Sequence, residues 1–277
     1  MTGKIPKSVG AVLTVMAILA LSAATAGAST IYNNLPKPKP GNVVSVGFQA
    51  TSTSEFGGQV EFAGMARSNP AVTVMMSSWG CQEGSWNGGS CKTVPGATFS
   101  QPLTLNVYEV QGNNEPGAQV ASVTQTFNIP YRPSASKKCT GEQAGEWSHA
   151  GECFNGKATQ VTFNLGAVTL PSKAILSVAF NTSNYGAAPL GPQPCAAFVP
   201  SRCPYDALNV GTTEPANEEA PEPVNPSIGS DPLPAYDYFN SKYAAMYGSE
   251  PHGTIGTFSL ANEWTGYQPL FKVKASK

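Results

Sequence analysis

The side chains best suited to chemistry in this 277-residue chain are four tryptophans, two histidines and one cluster of glutamates. Trp86 lies between Cys81 and Cys91, Trp147 lies between Cys139 and Cys153, and Trp79 just precedes the first of these stretches. Both stretches are rich in turn formers, as in Gln82-Glu-Gly-Ser-Trp-Asn-Gly-Gly-Ser90. A flat ring on a rigid loop offers a face on which a sugar can stack, and such a face is costly to leave wet. Asn87, with Gln82, Ser85 and Ser90, would supply orienting hydrogen bonds. Trp86, Trp147 and Asn87 are therefore the candidate binding residues, and polysaccharide is the ligand class they suit. Trp79 continues the apolar run Val72–Met76 and reads as core.

Glu142, Glu146 and Glu152 share the second loop with Trp147 and His149. Two carboxylates about 5–9.5 Å apart are enough to hydrolyse a glycoside, so a carbohydrate-active hydrolase is the alternative reading. Other catalytic patterns are missing. The chain has no G-x-S-x-G elbow, no H-E-x-x-H and no phosphate-cradling glycine loop. His149 and His252 fall in turn-rich sequence and read as surface histidines. Without a C-x-x-C pair or an Asp-x-Asp-x-Asp-Gly loop, neither zinc nor calcium has a recognisable ligand set. No catalytic residue, metal or cofactor is assigned, and binding without catalysis is the expectation.

The elements that must position these residues begin after an address. Lys4 and Lys7 precede an apolar run from Ala11 to Ala24, and Ala26-Gly27-Ala28 closes the segment. This is the layout of a secretory signal peptide, with cleavage expected after Ala28. The apolar part is short for a membrane span of about 20 residues, and it contains Thr14 and Ser22. A released or surface-held extracellular protein, with no transmembrane anchor after cleavage, is the expectation. The product would carry 14 basic and 17 acidic residues, a net of −3, which gives no reason to expect nucleic acid as a partner.

Six cysteines in an exported chain read as disulfides. They come as close pairs separated by 10, 14 and 8 positions, which favours Cys81–Cys91, Cys139–Cys153 and Cys195–Cys203. Fifteen pairings are formally open to six cysteines.

From Val43 onward the chain alternates with period two. Leu103, Leu105 and Val107 interleave with Thr104, Asn106 and Tyr108, and Val161, Phe163 and Leu165 do the same with Thr162 and Asn164. Gly112-Asn-Asn-Glu-Pro-Gly117 reads as a hairpin connection. The expected fold is all-β, a two-sheet antiparallel β-sandwich of jelly-roll type.

Residues 29–41, with Leu35-Pro-Lys-Pro-Lys-Pro-Gly41, read as a proline-stiffened arm ahead of a single sandwich domain over 42–277. Residues 212–250 read as an acidic insertion, with seven acids and one base. Tyr236, Phe239, Tyr243 and Tyr247 recur there at near-helical spacing between Pro234 and Gly248, predicting a short helix.

Several strings carry a resemblance, among them Gly47-Phe-Gln-Ala-Thr-Ser-Thr-Ser-Glu-Phe-Gly-Gly58, Met76-Ser-Ser-Trp-Gly-Cys81 and Phe127-Asn-Ile-Pro-Tyr-Arg-Pro133. Asp206-Ala-Leu-Asn-Val-Gly211 and Trp264-Thr-Gly-Tyr-Gln-Pro-Leu-Phe-Lys-Val273 belong with them. Together they resemble secreted β-sandwich proteins of Gram-positive soil bacteria, a group with no established activity. The resemblance implies export and β architecture and brings no functional residues. An extracellular or cell-surface polysaccharide-binding module is the leading expectation, ahead of a hydrolase or a purely structural adhesion protein.

Overall fold

The computed structural model describes residues 27–48, 53–180, 207–214, 225–241, 256–261 and 266–277. The expected signal peptide (apart from its last two residues), the Cys195–Cys203 pair and His252 lie outside the described residues.

The main frame is one long hairpin folded back on itself. Its centre is the pair β5 (Thr98–Val110) and β6 (Pro116–Pro130), joined through the predicted turn. Outside it, β4 (Ser68–Ser78) pairs with β9 (Lys157–Asn164), and β3 (Thr53–Glu61) pairs with β10 (Lys173–Ala179). The outermost pair is β1 (Ser29–Asn33) with β14 (Phe271–Ser276). All these pairs are antiparallel. Rolling this ribbon places β1-β14-β4-β9 in one sheet and β3-β10-β5-β6 in the other, which is the eight-stranded jelly-roll order.

Shorter strands widen both sheets. β2 (Ser45–Gly47) and β11 (Leu208–Gly211) extend the first, with β11 sitting end to end with β14 beside β4. β12 (Asp237–Ser241) and β13 (Ser259–Ala261) extend the second beyond β3. A separate hairpin, β7 (Trp147–His149) with β8 (Glu152–Phe154), stands apart from both sheets.

Period-two alternation builds the core. Val72, Val74 and Met76 of β4 face Leu103, Leu105 and Val107 of β5 across the sandwich, and each is fully buried. Phe127 and Phe163 meet edge to face at 4.9 Å between centroids, and Phe48 stacks on Phe180 at 4.1 Å.

Two expectations change. Residues 237–241 form a strand and not the first half of a helix. The exposed edge of β3 needs a partner, and β12 supplies it while burying Phe239 against Phe56. Tyr236 and Phe239 share no helical face, and Tyr243 and Tyr247 lie outside the described residues. The segment 29–41, read as an arm outside the sandwich, enters it at once, because Ser29–Asn33 is a sheet strand.

Cys81–Cys91 and Cys139–Cys153 are disulfides, as the spacing predicts. Among the described residues, no helix is long and apolar enough to cross a membrane.

Candidate functional site

A hollow lies on the outer face of the first sheet, beneath the proline-rich segment. After β1 the chain leaves the sheet edge, crosses this face to β9, and returns to β2 as a strap. Asn34 fastens its start: its amide nitrogen donates to the Pro269 carbonyl at 3.0 Å, and its oxygen accepts from the Phe271 N–H at 2.6 Å. At the far side the Ala158 N–H donates to the Gly41 carbonyl at 2.9 Å, and Lys39 Nζ donates to the Ala158 carbonyl. Leu35 and Val43 pack onto a small apolar cluster of Met75, Ala158 and Leu270, separate from the main core.

A cavity of about 790 Å³ opens beside the strap, large enough for one or two sugar rings. Leu35, Pro36, Pro40, Val43 and Leu270 give it apolar walls, and Trp79 and Phe154 add aromatic ones. Both rings are held by the disulfide-bearing segments. Phe154 ends the hairpin that Cys139–Cys153 ties down, and it lies close over Gly41, where any side chain would collide with its ring. Trp79 leads into Cys81 and covers Gly156, where a Cβ would strike the indole nitrogen. The Trp79 Nε1–H donates to Ser77 Oγ at 2.8 Å, and Ser77 Oγ–H donates to Asn42 Oδ1 at 2.7 Å, coupling the ring to the strap.

Most polar groups around the cavity are already paired. Thr213 Oγ1 donates to the Gly266 carbonyl and accepts from Gln268 N–H. Ser227 Oγ donates to the Asn33 carbonyl and accepts from the Asn33 amide. Thr212 differs: its residue is 3% exposed, it lines the cavity, and its buried hydroxyl has no hydrogen-bond partner among the described residues. A buried hydroxyl without a partner costs about 1–3 kcal/mol. Glu214 and Asn225 complete the polar rim.

The predicted binding residues do not converge. Trp147 is 7% exposed, and its Nε1–H donates to the Gly156 carbonyl at 2.6 Å, so it plugs its own loop and offers no stacking face. Trp86 is half-buried and meets Trp79 edge-on at 4.7 Å between centroids, bracing it from behind. Asn87 is exposed at the loop tip and does not line the cavity.

The glutamates also part company. Glu142 and Glu152 face solvent, whereas Glu146 turns inward and accepts from Asn155 at 2.8 Å. Beside it Arg132 is fully buried and donates to the Gly145 carbonyl at 2.6 Å. Its backbone N–H binds the Gly80 carbonyl, so it joins the two disulfide loops. Burial pushes the Arg132 guanidinium down to about 10, against the opposing pull of Glu146, which leaves it charged at neutral pH. His149 is exposed near Trp147. Among the described residues, no group of three or more His, Cys, Asp or Glu could hold a metal ion.

Trp79 is the residue that sequence reasoning misplaced. Val72, Val74 and Met76 point to the core, so Thr73, Met75, Ser77 and Trp79 fall on the opposite face by alternation. That signal was present in the spacing. Nothing comparable announces Phe154 or Thr212.

A second polar centre lies on the outer face of the other sheet. Glu55 Oε1 accepts from Asn106 Nδ2, Tyr108 OH and Ser177 Oγ. Phe258 packs over Tyr108 and Tyr238, and Tyr238 OH donates within a bonded set with Gln59 and the Asn114 carbonyl. Desolvation, with Glu55 close by, raises the Tyr108 phenol well above its ordinary range. These groups satisfy one another and enclose no described cavity.

No protein-family model matches the chain, and no curated protein or solved structure matches it.

Proposed function

We propose that the protein is exported and works outside the cell as a non-enzymatic polysaccharide-binding module. Its binding site is the cavity beneath the strap. The observation that carries this reading is the meeting of two aromatic walls, Trp79 and Phe154, with a polar rim that includes Glu214 and Asn225. Sugars present apolar ring faces and hydroxyls together, so they match a site of that composition. Export is supported by the charged, apolar and small-residue order of the first 28 residues. Two short-loop disulfides and a first strand that begins at Ser29 agree with it. The resemblance to secreted β-sandwich proteins points the same way.

The test is retention of the 29–277 chain on insoluble cell-wall glycan. Wild type is expected to be retained. Trp79→Ala should weaken binding about tenfold or more, and Trp86→Ala less, since Trp86 only braces. Near-UV circular dichroism checks that each variant is folded. Failure of wild type to bind, or equal retention of a folded Trp79→Ala variant, overturns the reading.

A further inference from the structure

The strap divides the outer face of the first sheet, and its other side is a groove of about 470 Å³. Lys37 and Lys39 of the strap and Lys272 and Lys274 of β14 line this groove, and no carboxylate does. Lys272 and Lys274 are two apart on a strand, so both stand on the outer face, while Phe271, Val273 and Ala275 fill the core. None of the strands of this sheet contains an Asp or Glu. Yet the whole chain has one more acid than bases, so this concentration of positive charge is local.

Like charges gathered without counter-charges repel one another, and a bound anion relieves that repulsion. Leu35 and Pro36 line both the groove and the aromatic cavity. One polymer chain passing over these residues would touch both.

We propose that the groove is an anion-binding subsite and that the polysaccharide recognised is an acidic one, carrying carboxylate or phosphodiester groups. This inference rests on the glycan reading and specifies its ligand class. The lysines hold the acidic groups, and Trp79 and Phe154 take a ring.

Equilibrium binding of the 29–277 chain to polygalacturonate, poly(glycerol phosphate) and neutral dextran, at 20 and 500 mM NaCl, tests this. At least one anionic polymer should bind more tightly than dextran at low salt and lose about tenfold or more at high salt. Binding of polygalacturonate alone identifies carboxylate as the group read, and binding of poly(glycerol phosphate) alone identifies phosphodiester. The double variants Lys272→Gln/Lys274→Gln and Lys37→Gln/Lys39→Gln should each weaken anionic binding about tenfold. Lys272→Gln/Lys274→Gln should leave retention on neutral glycan within twofold. The two pairs lie on different elements, so loss of folding in one leaves the other informative. Anionic binding no tighter than dextran, or unchanged in folded variants of both pairs, overturns the proposal. Lysine-dependent anionic binding that is indifferent to Trp79→Ala would instead sink the aromatic-cavity reading and leave the anion subsite standing.

Discussion

On one outer face of the sandwich, the strands carry Lys272 and Lys274 and no acid. On the other, they carry Glu55 and Glu61 against one base, Lys173. Both faces are rich in polar side chains, but they use them differently. Around Glu55, three donors share one carboxylate oxygen and Phe258 packs over Tyr108, while Asn240 Oδ1 alongside is buried without a partner among the described residues. Under the strap, aromatic walls border open volume, and four lysines share a groove without a carboxylate. A satisfied network stabilises the fold, whereas an unsatisfied one leaves binding energy for a visitor. The contrast is why the lysine-bearing face is the one proposed to bind.

The strongest way to break this comparison is to disturb the matched face. Glu55→Ala leaves three donors without their acceptor in a buried layer. It should cost about 3–5 kcal/mol in urea unfolding while leaving glycan affinity of the folded protein unchanged. A loss of affinity in folded protein would mean that this face also serves the site. Next, Cys139→Ser/Cys153→Ser removes the staple behind Phe154. Chain entropy for this loop predicts a cost of about 3 kcal/mol, and glycan retention should fall together with stability.

The seam between the faces gives a pH test. Asp231 lies in the segment that bridges from Asn33 of the first sheet to Glu61 of the second. Burial raises its carboxyl to about 6, only partly offset by the Leu233 N–H. The folded protein therefore holds this proton more tightly than the unfolded chain. The associated stability is fully present below about pH 4 and is lost as pH rises through 6. Asp231→Asn keeps an acceptor for Leu233 and should stabilise the protein by about 2 kcal/mol at pH 7, with no gain at pH 3.5. Thermal unfolding at the two pH values measures it, and equal gains at both would contradict the assignment.

The smallest change sharpens the contrast most. Thr212→Val removes the unmatched hydroxyl at nearly constant shape. Stability should hold or rise by up to about 1 kcal/mol, and glycan binding should change less than twofold, since the hydroxyl is closed off from the cavity. A clear loss of stability would show that the hydroxyl is satisfied within the protein.

Much of the frame was legible because alternation and turns are local. Leu103–Val107, Val161–Leu165, the 112–117 connection and both described disulfides all follow from spacing. The errors came where long-range contacts decide. Tyr236 and Phe239 have helical spacing, but the open edge of β3 recruits 237–241 as a strand. Trp147 sits in turn-rich sequence, but its indole N–H finds the Gly156 carbonyl and the ring goes inside. The strap looked like a free arm because its anchors, Ala158 and Pro269, are more than 100 residues away. Thr212 is one threonine among many until its neighbours are known.

The nested pairing of strands bears on how the chain comes to fold. Ser29 lies beside Ala275, 246 positions apart, so the outermost pair cannot form before β14 is made. β4 also lacks its β14 neighbour until then. Contacts this distant make folding slow relative to local structure. Until β14 is made the chain is thus short of its closing strand and remains threadable. Were the protein exported as proposed, a membrane channel that passes only extended polypeptide would receive it in that form, and β14 would complete the sheet on the far side.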